Sequence, residues 1–67
     1  MSEKAAALCN EGLELMMQHR WEEAEEKMNL ALAEDLSSPE LWYNLGKCQF
    51  HQDKFEKAKN FTRMKEI

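Results

Sequence analysis

The sequence predicts an all-α protein: two stacked antiparallel helical hairpins, the start of an α-α superhelix, in a single domain. Three observations predict it. Apolar residues recur at helical spacing, with Leu8, Gly12, Leu15 and His19 at the i, i+4, i+7, i+11 positions of one face. The chain resembles itself at a shift of 34 residues, which places Gly46 on Gly12, Ala58 on Ala24, Phe55 on Trp21, Asn44 on Asn10, Gln52 on Gln18 and Glu56 on Glu22. One strong break, Leu36-Ser37-Ser38-Pro39, divides the two similar halves.

Each element has its own signals. Ser2 is an N-cap and Glu3 places a negative charge in the first turn, so the first helix runs from there to about Gln18. Beside its first stripe it carries a second one, Cys9, Leu13, Met16 and Met17. The turn is His19-Arg20, and histidine is among the non-glycine residues that tolerate left-handed backbone. A second helix is expected over Trp21–Glu34, with Trp21, Ala24, Met28, Ala31 and Leu32 inward and the glutamates outward. Ser38 caps a third helix that Pro39 opens and that ends near Gln52, with Trp42, Leu45, Gly46 and Gln49 facing its hairpin partner. That partner, a fourth helix, is expected to start after Asp53, with Asp53 and Glu56 as a capping box and Phe55, Ala58, Phe61, Thr62 and Met64 as its apolar or small positions.

The order Trp42, Leu45-Gly46, Phe55, Ala58, repeated in the first half as Leu8, Gly12, Trp21 and Ala24, resembles the tetratricopeptide-repeat family, with one repeat over 5–38 and another over 39–67. The resemblance implies that Gly46 and Ala58 sit at a close helix crossing. Many members carry glycine at the turn; here His19 and Asp53 stand there. It also implies that the first helix of each repeat lines a concave groove. In this sequence that groove would carry Cys9, Leu13, Met16, Met17, Tyr43, Asn44, Lys47 and Phe50, with His51 near its end. Methionine-rich apolar strips suit amphipathic helical partners. The best-known family ligand, an acidic chaperone tail, needs a clamp of lysine, arginine and asparagine. Cys9 and Leu13 stand where two clamp residues belong, so that ligand is rejected.

Composition bounds the rest. At 67 residues the core is thin, because a chain this short buries about 60% of its unfolded surface. With no capping helix expected beyond the second repeat, apolar flanks are left to be covered. The net charge of −4 gives no reason to expect nucleic acid. Its distribution is uneven: two bases and eight acids over 5–38 give −6, and six bases and four acids over 39–67 give +2. No metal site is expected, since acids spread along one helix do not converge. Without a triad, a Cys–His pair or a glycine-rich phosphate loop, the chain is read as non-enzymatic and without cofactor. Cys9 and Cys48 read as reduced thiols, and the N-terminus lacks an apolar signal core; both point to a cytoplasmic protein with no membrane partner. The expected function is a protein-interaction module that takes a helical protein or peptide segment and forms a homo-oligomer. The alternatives are a dedicated chaperone for a hydrophobic helix or a purely homo-oligomeric assembly module.

Overall fold

Ser2 starts the fold as expected: its Oγ accepts from the Ala5 backbone N–H at 3.1 Å. In the computed structural model the described residues form three helices, α1 (Glu3–Met17), α2 (Trp21–Glu34) and α3 (Pro39–Lys65). Residues 1–65 are described, with side chains described through Lys54. The described residues are all-α.

The helices α1 and α2 form an antiparallel hairpin. Its turn is a Schellman motif: the His19 N–H donates to Met16 O (3.0 Å) and the Arg20 N–H to Leu15 O (2.9 Å). That geometry needs a left-handed residue, and His19 supplies it at φ 62°. A β-carbon is strained there by roughly 1 kcal/mol. We therefore expect His19→Gly to raise the melting temperature by several degrees, read by circular dichroism. An unchanged or lower value would show that the edge-on contact between His19 and Trp21 (5.7 Å between centroids) outweighs the strain.

The hairpin closes on small residues. Ala24 and Ala31 are fully buried, so the helices approach closely and Met28 fills what is left. Gly12 sits under that methionine, where a β-carbon would lie 2.7 Å from Met28 Cε. Exposed ion pairs mark the register, Lys4–Glu34 at 3.3 Å and Glu11–Lys27 at 3.0 Å. Pairs this exposed add little stability.

Between α2 and α3, Asp35 makes a tight turn. Its Oδ1 accepts from Ser37 Oγ (2.8 Å) and from the Ser37 backbone N–H (3.2 Å). These bonds, side-chain first, hold the Asp35 carboxyl below its ordinary value. The sign follows: the turn is fully formed above the ordinary carboxylate range and loosens as pH falls through the depressed value. Pro39 is the first residue of α3, as expected.

The main departure lies in α3. The sequence reading placed a turn near Gln52 and a fourth helix after Asp53. Instead one helix of 27 residues runs through that point. Asp53 is inside the helix, so it does not cap a new one. The physical reason is local. Gln52-Asp53-Lys54 lacks glycine and proline, and good helix formers follow it in Glu56, Lys57, Ala58 and Lys59. In the first hairpin His19 accepts left-handed backbone; Asp53 remains helical. The apolar or small positions Phe55, Ala58, Phe61, Thr62 and Met64 concern side chains outside the described ones.

A helix of this length spans about 40 Å. The molecule is accordingly drawn out, 50 × 20 × 13 Å, with a radius of gyration of 14.1 Å. A compact chain of this size would have about 11 Å. The far part of α3 therefore extends past the α1–α2 hairpin.

Candidate functional site

Two faces of α3 have different fates. Leu41, Asn44, Leu45 and Cys48, spaced i, i+3, i+4, i+7, are buried against the hairpin. Asn44 Nδ2 donates to Cys9 Sγ at 3.8 Å, joining α3 to α1. Farther along, Gln52 Nε2 donates to Glu25 Oε2 at 2.7 Å, and His51 stacks flat on Trp21, 4.0 Å between centroids at 9°. After these anchors Asp53 and Lys54 are exposed.

The other face is bare. Trp42, Tyr43 and Phe50 are 52%, 70% and 63% exposed. With Gly46, Lys47 and His51 they line an open depression of about 490 Å³. Trp42 is held in place by its Nε1–H, which donates to Leu36 O at 2.8 Å. The edge-on contact of Phe50 with His51, 5.6 Å between centroids, steadies the opposite end. Among the described residues, a β-carbon added at Gly46 would meet nothing within 4 Å. Its counterpart Gly12 lies beneath Met28. The two matching glycines are therefore in opposite environments, one at a filled helix crossing and one at an empty one.

This arrangement divides the groove expected from the sequence. Cys9, Met16 and Asn44 are buried in the core and Leu13 is half-buried against it, so these four offer little surface. The second stripe of α1 is only partly covered: Cys9 meets Asn44 of α3, and Met16 joins the same buried cluster. Met17 is exposed near the end of α1. Tyr43, Lys47 and Phe50 do lie together, and the structure adds Trp42, Gly46 and His51 to them. Trp42 and Gly46 were expected to face a hairpin partner; with α3 continuous, that partner is absent from their face. The signal for the bare face was the run Trp42, Tyr43, Gly46, Lys47, Phe50, one edge of a helix at i, i+1, i+4, i+5, i+8.

Chemically the face is apolar and aromatic, with Lys47 and His51 beside the exposed rings. Among the described residues no group of three or more His, Cys, Asp or Glu side chains could hold a metal ion. No helix is long and apolar enough to cross a membrane among those residues. Cys9 and Cys48 are free and buried. Burial is the main cause that pushes both thiols above their ordinary value, with Glu40 adding to it at Cys9 and Glu25 at Cys48. Both should be protonated and shielded at neutral pH. We expect iodoacetamide to modify them only as fast as the fold opens, with the rate rising in urea. Rapid modification of Cys48 in buffer, followed by mass spectrometry, would show that α3 undocks freely.

A family model described as tetratricopeptide repeat matches residues 15–64, most of the chain. No curated protein and no solved structure matches it.

Proposed function

The chain belongs to the tetratricopeptide-repeat family, and we propose that it is a non-enzymatic interaction module. Its binding surface is the exposed face of α3, centred on Gly46, and its ligand is an amphipathic helical segment of a protein. We read the chain as a single cytoplasmic domain of two repeat units, 5–38 and 39–67, with the second hairpin opened out. The observation that carries this reading is the contrast between Gly12, roofed by Met28, and Gly46, open to solvent with Trp42, Tyr43 and Phe50 around it. The first hairpin displays what the second glycine lacks: an apolar helix laid across it. Anchors at i, i+4 and i+8 suit a helical ligand, because they repeat at the pitch of the helix that would lie over them.

A photoreactive amino acid at position 43, with the full chain expressed in the cells that make it, tests the reading. A protein adduct is expected from position 43 and none from position 29, where Asn29 is exposed on α2. Adding Phe50→Asp should remove the adduct while the helical circular dichroism signal stays. Equal adducts from both positions, or none from position 43, would refute the reading. Phe50 is the better target than Leu13, since Leu13 packs on the core and its loss would act through folding.

A further inference from the structure

The structure also points to what covers the bare face. We propose that the occupant is the C-terminal half of α3 from a second copy of this chain, exchanged reciprocally so that two chains form one dimer. This rests on the binding face described above and names its partner.

Three observations select that partner. First, the chain holds the matching segment but carries it away from its own face. Residue for residue, the first hairpin is a template: Gly12 lies under Met28, and the 34-residue shift places Gly46 opposite Thr62, with Ala58 in the place of Ala24 and Phe55 in the place of Trp21. Because α3 runs unbroken from Pro39 to Lys65, residues 54–65 cannot fold back onto Gly46 of the same helix. The same segment of another chain can reach it, running antiparallel.

Second, the point of departure lies near the middle of α3. Its last described contacts with its own hairpin are those of His51 and Gln52, and Asp53 and Lys54 are exposed. In the register transferred from the first hairpin, a two-fold axis between two antiparallel α3 helices passes near residue 54. Each chain would then place its far segment on the other's Gly46. The contact is closed and isologous, the commonest form of dimer.

Third, the charges match. Residues 54–65 hold five bases and one acid, a net +4, whereas residues 5–38 carry −6. Opposite net charges draw the basic stretch of one copy toward the acidic hairpin of the other during encounter, which favours this pairing over a ligand without positive charge.

Light scattering after gel filtration of the full chain reads the outcome. Wild type is expected at twice the 7.9 kDa chain mass at micromolar concentration. Inserting two glycines between Asp53 and Lys54 should let each segment turn back onto its own face and give the single-chain mass with helicity retained. Gly46→Leu provides a second arm that does not depend on the hinge. It meets open space within one chain, so the chain should stay folded, and it should give the single-chain mass. A wild-type monomer would overturn the proposal, as would a two-chain mass in either variant. A wild-type monomer that still yields a position-43 adduct with another protein would remove the second copy and leave the binding face standing. A monomer with no such adduct would remove both.

Discussion

Gly12→Leu is expected to unfold the chain. The β-carbon alone would stand 2.7 Å from Met28 Cε and 3.4 Å from Lys27 Cβ. An alanine could displace the flexible tip of the methionine. Leucine adds three more carbons into space already occupied by Met28, which is itself fully buried. Overpacking of this kind costs about 1–3 kcal/mol, and separating α1 from α2 adds the loss of Met28 and its alanine neighbours as packed groups. Small domains have stabilities at the low end of a range starting at about 5 kcal/mol, so the sum approaches the whole. Circular dichroism at room temperature should show most of the helix signal gone. A variant that retains wild-type helicity would mean that the α1–α2 crossing is not close at Gly12.

Leu41→Asp is expected to be as damaging, by a different route. Leu41 is fully buried at the start of α3, within the cluster that includes Cys9, Met28, Leu45 and Cys48. Substitution removes a packed side chain, about 2–5 kcal/mol on the scale of truncation to alanine, and places a carboxylate in a buried cluster of apolar side chains and thiols. The first turn of α3 should then lift off. With α3 undocked, α1 and α2 must stand alone, and chains below about 40 residues rarely fold without staples. The expected result is a single cooperative loss of structure rather than a surviving hairpin. Thermal melts followed at 222 nm and by tryptophan fluorescence should coincide. A variant in which the α1–α2 hairpin persists while α3 melts would show that the hairpin is independently stable.

How far the sequence carried can be judged residue by residue. The Ser2 cap and the first hairpin were legible because local chemistry and tertiary structure agree there. Ser2 caps α1, His19 takes the left-handed turn, and Ala24, Met28, Ala31 and Leu32 face inward at the expected spacing. At Gln52-Asp53-Lys54 local preference and repeat pattern disagree. The 34-residue self-similarity asks for a turn, while the residues themselves favour continued helix. A repeat pattern records which residues meet, without recording whether they meet within one chain. That is why Trp42 and Gly46 were assigned to a hairpin contact and lie open instead. The same error displaced the groove. Leu41, Asn44, Leu45 and Cys48 form a clear i, i+3, i+4, i+7 stripe, and the repeat pattern masks it. With that stripe turned toward the hairpin, Cys9, Met16 and Asn44 become core, and the exposed apolar surface shifts around α3 to Tyr43, Gly46, Lys47 and Phe50.

The bare face exists because α3 is one helix, so the path of that helix is the thing to measure. Two spin labels carried on unnatural amino acids at positions 43 and 63 would leave the buried Cys9 and Cys48 untouched. Doubly labelled chains diluted into a large excess of unlabelled chains report only the distance within one chain. A continuous helix separates the two backbone positions by about 30 Å. A chain folded back into a second hairpin would bring them to about 10 Å, the spacing of packed helices. The longer distance is the expected result; the shorter one would close the face around Gly46 from within the chain and contradict the account.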